Sequence, residues 1–137
     1  PLEVGLLKDA LKISDLHLIQ LGSYFQEKAF LFKHTAVTES AALCSPKEIS
    51  YFAEDLTGIN ALMKVVGQAS FDKCILGELV LYVSFRIDLD WLKKVVGLGV
   101  RMVVSRVAPT KSAYDFAKEQ GVQLIGFARN RKFTIYR

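Results

Sequence analysis

Basic side chains gather in short stretches of this sequence, in company that suits an anion. Ser84 and Arg86 form one stretch, Arg106 with Pro109, Thr110 and Lys111 a second, and Arg129, Asn130 and Arg131 a third. A guanidinium presents paired N–H donors to phosphate, and a helix start adds exposed backbone N–H groups. The competing reading is ordinary solvated loop charge, because Asp88 and Asp90 stand in the helix start beside Arg86 and repel anions. A second constellation is the adjacent pair Glu54 and Asp55. Paired carboxylates serve acid–base chemistry or hold a sugar hydroxyl. They also cap the helix that follows and favour its dipole.

The other reactive residue types narrow the choice. Cys44 and Cys74 are the only cysteines, and their separation matches neither a Cys-x-x-Cys pair nor a zinc knuckle. They read as ordinary, partly buried thiols of a reduced, cytoplasmic protein, with no disulfide between them and no persulfide expected on either. His17 and His34 stand alone and read as structural. No His-x-Glu with Pro-Cys-x-x-Cys occurs, which excludes zinc deamination by this chain, and no metal site is expected. No Walker loop, Gly-x-Gly-x-x-Gly or Gly-x-Ser-x-Gly occurs either. A net charge of +4 permits an anionic ligand without demanding nucleic acid. No apolar run reaches the roughly 18 residues of a membrane helix. No basic-then-apolar leader is visible. The chain opens on Pro1 and not Met, so the expectation is a fragment, a processed product or a trimmed form.

The elements that must position these residues follow from hydrophobic period. With 137 residues, the chain can bury one good core and is too short for two. The expected organisation is one α/β domain over 1–137: a helical lead-in to about residue 34, then a hairpin and parallel αβ units over 38–137. Leu2, Leu6, Leu7 and Leu11 share a helical face, and Ser14 and Asp15 cap a second helix expected to run on toward Lys33. Thr38 to Cys44 and Glu48 to Ala53 read as strands joined by a turn at Ser45-Pro46-Lys47. Leu56 to Ala69 reads as a helix with Ile59, Leu62, Met63 and Val66 inward. Leu79–Val83, Val100–Ser105 and Leu124–Phe127 lack polar alternation, as fully buried parallel strands do. Helices over Asp88–Leu98 and Thr110–Gln120 alternate with them, ending at Gly99 and Gly121. Lys132 to Tyr136 is a last short strand. The fold class is therefore a three-layer α/β/α arrangement around a mixed sheet of five or six strands. In such sheets ligands lie outside the carboxyl ends of the parallel strands, which brings the basic stretches to one edge.

The order of motifs resembles the C-terminal domain of the FdhD/NarQ family of formate dehydrogenase accessory sulfurtransferases. Leu124 to Arg129 with Phe133, Ile135 and Tyr136 is similar to the family ending LVGFARGGRFNVY. Ala108-Pro109-Thr110 is similar to SAPSS, Ser84-Phe85-Arg86 to SGR, and Glu54 to Lys64 to EDVGRHNAVDK. Thr35 to Leu43 aligns with TGGFHAAAL. The motifs also differ: Ala36 and Val37 replace two glycines, Glu39 the His, Gly58 and Ile59 an Arg-His pair, Phe85 a glycine and Val107 a serine.

The resemblance implies a cytidine-deaminase-like fold and sulfuration of the molybdenum cofactor of formate dehydrogenase. It implies formate dehydrogenase and a cysteine desulfurase as partners, with a homodimer among the expected assemblies. The implied ligand is the molybdenum bis-guanine-dinucleotide pterin or a guanine nucleotide, held by Glu54, Asp55, Asn60, Ser84, Arg86, Pro109, Thr110, Lys111, Gly126 and Arg129. Arg86 and Arg129 would pair with phosphate oxygens, the Thr110 N–H would cradle one, and Asp55 or Asn60 would hold ribose or base. The family's Cys-x-x-Cys is not in this sequence, so a degenerate paralogue that only binds partners is the alternative to an active sulfurtransferase. An unrelated small-molecule enzyme on the same fold is a third reading.

Overall fold

A computed structural model describes residues 13–29, 37–128 and 132–136. The helix expected over 2–12 and the basic tip 129–131 lie outside the described residues. The first described helix, α1 (Asp15–Lys28), starts where Ser14 Oγ accepts the His17 N–H at 3.2 Å. It ends at Lys28 and not near Lys33, because Ala29 leaves helical geometry and turns its N–H back to the Gln26 carbonyl.

Strands β1 (Glu39–Cys44) and β2 (Ile49–Asp55) form the expected hairpin, in register from Glu39 opposite Asp55 to Leu43 opposite Tyr51. Ser45 Oγ builds the turn by accepting the N–H groups of Lys47 and Glu48. Helix α2 (Gly58–Phe71) begins two residues later than its apolar spacing suggests. Thr57, in extended geometry, is its cap, with Oγ1 accepting the Asn60 N–H at 3.3 Å. Its buried face is Ala61, Leu62, Val65, Val66 and Ala69, which corrects the expected face. Ile59 and Met63 remain 39% and 41% exposed. The small Ala61 and Ala69 let the helix lie close to the hairpin, and apolar residues on several sides leave the helical period ambiguous.

A single 3₁₀ turn (Leu76–Glu78) leads into β3 (Val80–Val83). Helix α3 (Leu89–Gly97), capped by Asp88, leads to β4 (Met102–Ser105). Helix α4 (Lys111–Gln120) stops at Gly121, which takes the left-handed conformation (φ 69°), and leads to β5 (Gln123–Ala128). Strand β6 (Lys132–Tyr136) returns antiparallel to β5.

The six strands run in the order β2-β1-β3-β4-β5-β6, with β3, β4 and β5 parallel, as the buried runs predicted. One face of the sheet carries α2, α3 and α4, whose Leu62, Val65, Leu92 and Val95 pack on Leu81, Val83, Val103 and Leu124. The other carries α1, whose Leu18, Leu21 and Phe25 pack on Ala42, Tyr82, Val104 and Ile125. The arrangement is the three-layer α/β/α sandwich expected from the sequence.

Candidate functional site at the strand ends

The ends of β2, β3, β4 and β5 and the start of β1 meet at one edge of the sheet. Register fixes this: Asp55 lies opposite Glu39, Ala41 opposite Val83, Val83 beside Ser105, and Ser105 beside Gly126. The starts of α2, α3 and α4 open on the same edge, because each helix follows a strand that ends there.

Two polar clusters form. In the first, Lys64 Nζ reaches Asp55 Oδ2 at 2.8 Å and the Glu54 carbonyl at 3.1 Å. Asp55 Oδ1 accepts the Leu56 N–H at 2.7 Å and lies 3.5 Å from Asn60 Nδ2. The Lys64 ammonium, helped by the Leu56 and Thr57 N–H groups, holds the Asp55 carboxyl below its ordinary value against the opposing effect of burial. In the second, Ser84 Oγ donates to the Glu39 carboxylate and accepts the Ser40 N–H at 2.8 Å, while the Ser84 N–H donates to the Ser40 carbonyl. Ser84 thereby ties the end of β3 to the start of β1.

Other expected site residues are placed differently. Glu54 and Asp55 are not a carboxylate pair. Side chains alternate along a strand, so Asp55 faces the α2 side and Glu54, opposite Ser40, faces the α1 side. Thr110 lies at the edge, but its hydroxyl caps α4 and its N–H donates to the Ile87 carbonyl at 3.0 Å. That amide is therefore not a free phosphate donor. Lys111 turns along its own helix to Asp115 at 3.0 Å, four residues on. Arg86 is exposed at the edge, and its carbonyl accepts Trp91 Nε1 at 3.2 Å. Pro109 is half-buried beside it in the β4–α4 loop. Gly126 is covered: a Cβ there would lie 2.9 Å from the Tyr136 hydroxyl oxygen. Arg129 lies outside the described residues.

Two contributors were missed. Glu39 reads in sequence as the second residue of the expected strand Thr38 to Cys44, and as the residue in place of the His in the resembling motif. Ser105, fully buried, donates to the Phe85 carbonyl at 2.6 Å and accepts the Val107 N–H at 3.0 Å, which shapes the turn out of β4. The available signal was a lone hydroxyl closing an otherwise apolar strand.

Both cysteines lie at the opposite end of the sheet. Cys44 is fully buried where β1 meets the starts of β2 and β3, and burial pushes its thiol up to about 12. Cys74, half-buried, stands 3.0 Å from the Tyr51 hydroxyl, which also donates to Asp72 at 2.7 Å. Hydrogen bonding to Cys74, then to Asp72, raises the Tyr51 hydroxyl above its ordinary value. A cleft of about 480 Å³ beside Tyr51, Gly67, Gln68, Phe71 and Asp72 opens at that end. Among the described residues no group of metal-binding side chains assembles, and no helix is long and apolar enough to cross a membrane.

Known proteins are similar to this chain in sequence and in fold. The sequence model described as the FdhD/NarQ family matches residues 2–137. The chain belongs to the FdhD/NarQ family. It is 34% identical over 128 residues to the sulfur carrier protein FdhD of Bacillus licheniformis, covering 93% of this chain and 49% of that protein. It is 36% identical over 123 residues to the protein FdhD of Methanocaldococcus jannaschii, covering 89% of this chain and 54% of that one. The crystal structure of a formate dehydrogenase accessory protein from Desulfotalea psychrophila superposes with a TM-score of 0.85 at 18% identity, covering 93% and 55% of the two chains. The chain thus spans about half the length of the FdhD proteins it matches.

The family resemblance implies a pterin dinucleotide at the strand-end edge, and the described residues do not fit one as they stand. The Phe85 ring lies against Gly58, so close that a Cβ on Gly58 would meet ring atoms at 2.6–2.8 Å. The space between the first turn of α2 and the end of β3 is occupied by this chain itself.

Proposed function

We propose that this domain serves formate dehydrogenase maturation as a binding module, and that the sulfur-bearing thiol is not one of its own cysteines. The placement of Cys44 and Cys74 carries this reading. A sulfur carrier needs an accessible thiolate. Cys44 is sealed in the core with a raised thiol, and Cys74 is hydrogen-bonded at the far end from the strand-end edge. The partners proposed are those that the family resemblance implies: formate dehydrogenase and a cysteine desulfurase that supplies sulfur.

The test has two arms. Incubation with a cysteine desulfurase and cysteine, followed by intact-mass spectrometry, is expected to leave both cysteines unmodified. Size-exclusion chromatography with formate dehydrogenase apoprotein is expected to show a shared peak. A persulfide on Cys74, or separate elution of the two proteins, would overturn the reading.

A second reading, that the same edge holds the phosphate end of a guanine nucleotide, rests on Arg86. Its side chain is exposed beside Ser84, at the carboxyl end of a parallel strand. Arg86→Ala is expected to abolish the calorimetric heat of pyrophosphate and guanosine diphosphate alike. Unchanged heats would place the anion elsewhere.

A further inference from the structure

We infer that Phe85 and Gly58 form a matched pair that closes the crevice at the end of β3, and that Phe85 decides how much of a ligand can enter there. The inference about the ligand rests on the anion reading of this edge; the pairing itself rests on geometry alone. The ring fills the space that any side chain at position 58 would need. It is pinned from several directions. Its backbone carbonyl accepts Ser105 Oγ at 2.6 Å. Its ring meets Trp91 edge to face, with centroids 5.5 Å apart at 67°. Trp91 is itself fixed, its indole N–H donating to the Arg86 carbonyl at 3.2 Å and its backbone N–H to Asp88 Oδ1 at 3.2 Å. Phe85 is therefore packed against the core of this face as a fixed plug.

Gly58 is the first helical residue of α2, directly after the Thr57 cap. A Gly at position 58 is required once a ring sits at position 85. The ring leaves Arg86 and Ser84 at the rim and fills the space behind them. The rim suits a small polyanion, whereas the sugar and base of a nucleotide have no room over Gly58.

The pair is tested without ligand by a thermal double-mutant cycle. Gly58→Ala is expected to lower Tm by at least about 5 °C in the Phe85 protein, and by nothing in a Phe85→Ala background, where Ala favours the helix. Additive shifts would overturn the pairing. The selector role is tested by calorimetry with pyrophosphate and guanosine diphosphate. The wild type and Phe85→Leu are expected to bind both equally. Phe85→Gly is expected to favour the nucleotide at least about tenfold, which corresponds to roughly 1.4 kcal/mol. An unchanged ratio in Phe85→Gly, or a nucleotide preference already present in the wild type, would overturn the selector role. Absence of heat from pyrophosphate in every variant would overturn the anion reading beneath it. In that event the pair still stands or falls on the thermal cycle.

Discussion

Single residues decide what this edge can and cannot do, and several of those decisions were written in the sequence. Lys111 and Asp115 are four apart in a helix, so their ion pair was legible. Glu54 and Asp55 are adjacent in a strand, so their opposite facing was legible too, once the strand was seen to run on to Asp55. The plug at Gly58 was not, because it depends on a contact between residues 27 positions apart that only the folded sheet creates. Cys44 shows how burial turns a reactive group inert. Its folded thiol holds its proton up to about 12, against an ordinary value of 9.0. Below pH 9 folded and unfolded chains both keep this proton, and the full stability is present. Between about pH 9 and 12 the unfolded chain releases it and the folded one does not, so stability falls as pH rises, by at most about 1.4 kcal/mol per pH unit. Urea unfolding at pH 8.0, 9.0 and 9.8, below most tyrosine ionisation, is expected to show a shallower fall for Cys44→Ala than for the wild type. Parallel slopes would show that this thiol is not protected.

At the scale of elements, the three buried strands and the capped helices between them were readable because each signal is local. A run such as Val80–Val83 has no polar alternation, and Ser14, Thr110 and Gly121 act within one turn of the helices they bound. Helix α2 was misjudged in start and face. Apolar residues at 59, 62, 63, 65 and 66 fit more than one helical stripe, and tertiary packing on the hairpin chose the one with alanines. The consequence is quantitative. Leu62→Ala removes a fully buried side chain and is expected to cost about 2–5 kcal/mol, and Val65→Ala somewhat less. Ile59→Lys and Met63→Lys alter half-open positions and are expected to stay within about 1 kcal/mol. Chemical denaturation of the four variants separates the two faces; comparable losses from Met63→Lys and Leu62→Ala would restore the face inferred from spacing.

At the scale of the molecule, the two faces of the sheet are covered unequally. Three helices protect one face, and among the described residues α1 alone protects the other. Among the described residues that second face is covered by a few side chains, of which Phe25 is the centre. Its ring is almost fully buried, stacks on Tyr82 with centroids 4.6 Å apart, and meets Phe52 edge to face at 5.7 Å. Tyr82 is in turn buried in the middle of the sheet, where burial raises its hydroxyl well above its ordinary value. Among the described residues no second helix lies on this face to close over a cavity, so little relaxation is available. Phe25→Ala is therefore expected to cost about 3–5 kcal/mol, a large part of the roughly 5–15 kcal/mol that holds a domain of this kind together. Because the three-helix face does not depend on α1, the loss should open the α1 face before the rest. The variant is expected to bind an apolar dye in the native baseline, and hydrogen exchange should quicken first in α1 while the amides of α3 and α4 stay protected. Uniform acceleration across the four described helices would mean that the two faces unfold as one unit.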